Sequence, residues 1–119
     1  MAINKQHLAQ SKPTWTTSSS ILSPIEDQTI IIQQIIVCNT TASAATFSIF
    51  LDNDGTTYDQ TTALIYGYEL GANDMMMFSF GQDAESGLYL TDVSGSLALK
   101  SDTASALTFT INGAIMVAG

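Results

Sequence analysis

Thr29-Ile30-Ile31-Ile32-Gln33-Gln34-Ile35-Ile36-Val37-Cys38 places six β-branched apolar residues and a cysteine around two glutamines. β-Branching favours a strand over a helix, and strand side chains alternate between faces. Simple alternation sends Ile30, Ile32, Ile36 and Cys38 one way and Ile31, Ile35 and Val37 the other. Both faces are then apolar, whereas a free-standing small sheet usually keeps one face polar. The segment therefore asks for a cover on each side, from its own chain or from another copy.

Segments on either side show the same period of two. Phe47, Ile49 and Leu51 share a face over residues 45–51, and Leu64, Tyr66, Tyr68 and Leu70 do so over 63–70. Gly71-Ala72-Asn73-Asp74 carries turn chemistry and leads into Met75-Met76-Met77-Phe78-Ser79-Phe80, a second segment without a polar side. Short strands fit residues 88–90 and 97–100. Leu107, Phe109 and Ile111 point inward from a final strand whose threonines point out, and Gly113 marks a bulge or tight bend within it. Seven or eight strands, no amphipathic helix and no alternation of strand with helix predict an all-β antiparallel sandwich of Greek-key or jelly-roll type.

The 119 residues suit one domain with one core. Residues 1–22 read as an extended N-terminal arm, with a short strand over 14–22, and residues 23–119 as the sandwich. The arm holds Lys5, Lys12, His7 and Trp15, while all eleven acids lie between Pro13 and Gly119 beside Lys100. Scattered lysines are ordinarily just solvated. The sharper reading is an arm that crosses onto a neighbour's acidic body, with Trp15 either at the domain's own core edge or anchored in the partner.

Charged residues make up 12% of the chain, about half the usual share, and the formal charge is −8 with no arginine. Arginine is the usual fork for phosphates and bases, so nucleic-acid binding is excluded as an expectation. No apolar window approaches a membrane span, and the first residues lack the apolar run of a secretory signal. The single Cys38 excludes an internal disulfide and reads as a small buried hydrophobe.

Chemistry is hard to assemble from these residues. His7 sits in the arm and Cys38 in a strand, so no nucleophile and base can be named, and the chain is not expected to be an enzyme. Asp83, Glu85 and Asp92 read as solvated loop acids. Asp52-Asn53-Asp54-Gly55 with the later Asp59 partly matches a calcium loop, but Ala63 stands where an EF-hand needs a bidentate glutamate. The plain reading is a turn, and Ca²⁺ held by Asp52, Asp54 and Asp59 is the one cofactor candidate. Tyr58, Tyr66, Tyr68 and Tyr89 suit core and interface packing, with a sugar-stacking platform as the alternative.

Three tracts, IIVCNTTASAATFSIFL (35–51), ALIYGYELGANDMMMFSFG (63–81) and GLYLTDVSGSLALKSDTASALTFTINGAI (87–115), carry a family likeness. Their cadence resembles that of small β-sandwich virion proteins of tailed bacteriophages. The resemblance implies a capsid decoration (cement) or head-fibre component, typically trimeric, attached to the major capsid protein outside the shell, and found in virions assembled in the host cytoplasm. The polar arm and the Asp-Asn-Asp-Gly loop depart from that pattern. The residues themselves point the same way, toward a structural assembly protein that buries apolar area against its own copies or another virion protein. Lys5, Lys12, Trp15, Ile31, Ile35, Val37, Met75 and Met77 are the expected contact residues. A receptor- or carbohydrate-binding adhesin using Tyr66, Tyr68 and the acidic loop is the alternative.

Overall fold

The computed structural model describes residues 2–14, 16–52, 57–81 and 86–117. Among these, nine strands follow one another with no helix: β1 (Ala2–Ser11), β2 (Ser19–Leu22), β3 (Gln28–Asn39), β4 (Ala45–Asp52), β5 (Ala63–Leu70), β6 (Met75–Ser79), β7 (Leu88–Leu90), β8 (Ser96–Ser101) and β9 (Leu107–Val117). Two antiparallel sheets face each other. One runs β1-β9-β3-β6, with β7 also on β3, and the other runs β2-β8-β4-β5. The all-β sandwich expected from periodicity is the observed architecture.

The β1 and β2 strands change the reading of the first 22 residues. Residues 2–11 pair with β9 from Ala2↔Val117 to Ser11↔Phe109, and Ser19–Leu22 pairs with β8. Leu8 and Ala9 pack on the core. The expected arm is therefore an edge strand of each sheet, because its sparse apolar residues suffice once β9 and β8 supply hydrogen-bonding partners. Trp15 lies outside the described residues.

The β3 strand does not alternate simply. Its register on β9 shifts between Ile32↔Gly113 and Gln34↔Asn112, so Gln33 is an extra, bulged residue. Ile30 and Ile32 before the bulge, and Ile35 and Val37 after it, all join the core. Ile36 and Cys38 take the outer face, half-buried. Ile31 also points outward, paired with Tyr89 and Ala114, yet it is completely buried. Its cover is the chain itself: a Cβ on Gly87 would lie 2.9 Å from Ile31 Cγ2, which sets the passing loop directly on that side chain.

Register shifts on both flanks meet at Asn112. The β1 ladder slips between His7↔Asn112 and Ala9↔Ile111, at the level of the Gln33 bulge. Gly113 continues β9 without a break. A side chain there would overlap the Ile31 carbonyl oxygen and press within 3.0 Å of Leu8 Cδ1, so glycine is required by close approach.

The core is sealed by aromatic contacts within and between the sheets. Phe47 of β4 meets Phe109 of β9 at 5.6 Å, Phe78 of β6 at 6.2 Å and Tyr68 of β5 at 5.5 Å. Such pairs contribute about 0.5–1.5 kcal/mol each beyond their burial. Phe47, Ile49 and Leu51 face inward as alternation requires. In β5 the ladder skips between Phe47↔Tyr68 and Ile49↔Ile65, with Gly67 at φ 64°, so Tyr66 leaves the face of Tyr68. Tyr66 turns outward to Phe50, 6.3 Å between ring centres, with Tyr58 at 6.3 Å on the same ring.

Candidate functional site

An exposed apolar feature lies on the outer face of the β1-β9-β3-β6 sheet. Pairing of β6 with β3 sets Met77 opposite Ile36 and Met75 opposite Cys38. Inward neighbours Met76 and Phe78 pack on the core. Met75 and Met77 therefore face away from it, 57% and 50% exposed. With half-buried Ile36 and Cys38 they make one uncharged block. Methionine suits such a place because its thioether is polarisable and its chain adapts to irregular surfaces.

Amides border the block. Asn112 Nδ2 donates to Gln34 Oε1 at 3.0 Å, and Gln34 Nε2 donates to Met77 Sδ at 3.1 Å. Next along the sheet, Gln10 Nε2 donates to Thr110 Oγ1 at 3.0 Å. A shallow trough of about 610 Å³ runs among Lys5, Gln6, Gln34, Met77, Ser79 and Asn112, over the level where the two ladders slip. Its described walls carry amides, a hydroxyl, a thioether and one lysine, and no carboxylate. The lining offers amide, hydroxyl, ammonium and thioether groups for contact and hydrogen bonding.

Expected contact residues are dispersed. Met75 and Met77 stand exposed. Ile31, Ile35 and Val37 are completely buried and have no surface to offer, which corrects their place in the expected interface. The physical reason is the Gln33 bulge, which turns Ile35 and Val37 into the same core as Ile30 and Ile32, and the Gly87 loop, which seals Ile31. Lys5 and Lys12 are exposed along the β1 side, the opposite edge of the sheet from β6. Ile36, Gln34 and Asn112 lie on this face and were not singled out by the sequence, and Cys38, expected as a small buried hydrophobe, is half-buried on the outer face beside them. The bulge that exposes Ile36 and Cys38 leaves no signal in simple alternation.

The described acids of this segment, Asp52 and Asp59, both bond to nearby threonines. Asp52 Oδ2 accepts the Thr57 backbone N–H at 2.7 Å. Asp59 Oδ1 accepts the Thr61 hydroxyl at 2.6 Å and the Thr61 N–H at 2.8 Å, and these two bonds hold its carboxyl below the usual aspartate value. Asp54 lies outside the described residues, as do Asp83 and Glu85. Among the described residues no three acidic, histidine or cysteine side chains gather as metal ligands. The tyrosines do not form one platform: Tyr68 packs on the core, Tyr58 and Tyr66 flank Phe50, and Tyr89 sits on the other sheet opposite Ile31.

One buried polar residue organises the loops at the far end of β3. Asn39, 1% exposed, donates through Nδ2 to the Ser43 and Leu70 carbonyls at 2.9 and 3.1 Å. Its Oδ1 accepts the Thr41 N–H and hydroxyl at 3.0 and 2.8 Å. The Cys-Asn-Thr tract is thereby explained as a turn anchor. Comparison with protein-family models, with curated proteins and with solved structures finds no match.

Proposed function

We propose that this chain is a virion structural protein, a capsid decoration (cement) component that fastens to the outside of a phage shell and works as a symmetric homo-oligomer, a trimer by its family likeness. The observation that carries the reading is the uncharged block of Met75, Met77, Ile36 and Cys38, exposed on the outer sheet face of a chain otherwise poor in charge and rich in hydroxyls. Exposed contiguous apolar surface on a small protein marks a place where another surface belongs. Burial returns about 25 cal/mol per Å², and a modest footprint repeated over many copies becomes strong through multivalency. The major capsid protein is the proposed partner.

The strand order supports the reading. We read β1-β9-β3-β6 facing β2-β8-β4-β5 as jelly-roll interleaving, an architecture of capsid and lectin domains. Fold alone does not set function, and the exposed methionine face is what tilts the choice toward assembly. The test is immunogold labelling of particles from a culture carrying the gene, with antibody raised to this chain. Gold on the head surface supports the proposal, and unlabelled particles with the chain left in the soluble fraction contradict it.

The amide-lined trough favours a second reading, a glycan-binding adhesin, since amides pair well with sugar hydroxyls. A glycan array with and without chelator separates the two. Decoration predicts no sugar signal and no effect of the chelator.

A further inference from the structure

The sheets of this chain end in five strands whose outer edges no described strand occupies: β1, β6 and β7 in one, β2 and β5 in the other. Open edges invite pairing with other chains, and proteins ordinarily blunt them with charge, bulges or shortness. Four of the five are blunted. The β1 ladder slips at Leu8, and the strand carries exposed Lys5. The β5 ladder is broken twice, with Gly67 in the left-handed region and Glu69 exposed. The β2 strand has four residues and a slip, and β7 has three residues. The β6 strand differs. Its sequence Met75-Met76-Met77-Phe78-Ser79 has no charge and no proline, and its ladder on β3 runs without a slip.

We infer that the open edge of β6 pairs antiparallel with the β6 edge of a second copy, about a two-fold axis through Met77. The pairing is self-complementary in register. With Met77 opposite Met77 of the partner subunit, Met75 faces the partner's Ser79 and Met76 faces the partner's Phe78, so large outward residues meet small ones and a thioether meets an aromatic ring. Face parity is kept: residues 75, 77 and 79 point outward in both copies, and 76 and 78 point to the cores. Charge selects this edge as well. Two chains of −8 repel each other, and here Asp74 falls opposite the partner's Phe80, so no acid meets an acid. Pairing through a guarded edge such as β1 or β5 would carry a bulge or an exposed charge into the new ladder. An isologous contact also closes on itself, so it yields a pair of chains rather than a fibre.

The consequence reaches the outer face. Edge pairing joins the two sheets side by side, and the block of Ile36, Cys38, Met75 and Met77 from each copy becomes one apolar stripe across the two-fold, still open to a third surface. The inference does not use the virion reading, because its contact is a property of this chain alone, separate from any three-fold contact or shell binding.

The experiment is cysteine cross-linking of the full chain in a Cys38→Ser background. Opposed residues in an antiparallel ladder have Cα atoms about 4.5–5.5 Å apart, within disulfide reach. Met77→Cys is expected to give a covalent dimer under mild oxidation, increasing with protein concentration, while Met75→Cys gives at least tenfold less because its opposite residue is Ser79. Amide hydrogen exchange on the wild type supplies the second reading, with protection at residues 76–78 rising with concentration. Equal cross-linking at both positions, none at position 77, cross-linking only to another protein, or concentration-independent exchange would overturn the inference.

Discussion

The Gln33 side chain ties the bulge in β3 to the loop that covers it: Nε2 donates to the Ser86 carbonyl oxygen at 3.0 Å. Gln33 is 8% exposed, and the Phe80 N–H bonds its backbone carbonyl at 2.8 Å. One residue thus shifts the strand by a position, turns Ile35 and Val37 inward and holds the loop that seals Ile31. Deleting Gln33 removes the extra residue and leaves Ile32 and Gln34 consecutive opposite Gly113 and Asn112, so Ile35 and Val37 should stay in the core while the ties to Ser86 and Phe80 are lost. An inserted residue after Gln34 should instead throw Ile35 and Val37 onto the outer face and leave the protein insoluble or unfolded. Gln33→Ala keeps the bulge and loses the side-chain bond. It should cost about 1–3 kcal/mol, read from the urea midpoint.

Two glycines should respond differently to alanine. At Gly67 the added methyl meets nothing within 4 Å, but φ is 64°, so Gly67→Ala should cost about 1–2 kcal/mol. At Gly113 the methyl would occupy the space of the Ile31 carbonyl, and the β3 and β9 backbones must separate. Gly113→Ala should lose more than Gly67→Ala by a clear margin in chemical denaturation, or fail to fold.

Asn39 is a buried polar side chain with four hydrogen bonds. Asn39→Ala strands the donors and acceptors of the β3–β4 loop and the end of β5, at about 1–3 kcal/mol for each buried group left without a partner. A loss of less than 1 kcal/mol would show that this loop and strand end are held by other means.

The carboxyl of Asp59 makes the pH prediction. Its folded value lies below the ordinary 3.8 because two Thr61 bonds favour the ionised form. A depressed carboxyl adds stability above its unfolded value, and that increment is lost as pH falls through the folded one. Asp59→Ala should therefore melt below wild type at pH 7, with the gap closing in strong acid. Calcium or chelator should leave the wild-type melt unchanged, and a rise of several degrees with calcium would instead assign the loop to an ion.

Much of the architecture was legible in the chain because alternation is imposed by the pleat. Phe47, Ile49, Leu107, Phe109 and Ile111 sit in the core as their spacing demands, and the turn anticipated after Leu70 is present, with Asn73 in the left-handed region. What was not legible depends on single inserted residues. The slips at Gln33, Leu8 and around Gly67 reverse every face beyond them, so Ile36, Cys38 and Tyr66 changed sides. The strands of the first 22 residues were hidden for another reason, since an edge strand draws its hydrogen bonds from a neighbour distant in sequence and needs little apolar pattern of its own. Met75 and Met77 stand on the outward face of a segment read as having no polar side, while Ile31, Ile35 and Val37 proved to be covered by their own chain.

The central claim is that the face bearing Met75 and Met77 is an assembly surface. Sedimentation equilibrium of the wild type and of the Met75→Lys, Met77→Lys double variant tests it most directly, because both positions are solvent-exposed and the fold can be checked by an unchanged melt. The account predicts a wild-type mass that climbs with concentration to a multiple of 12.7 kDa, and a variant that stays at 12.7 kDa. A wild type that remains at the single-chain mass up to millimolar concentration, or a variant that associates as well as the wild type, would contradict it.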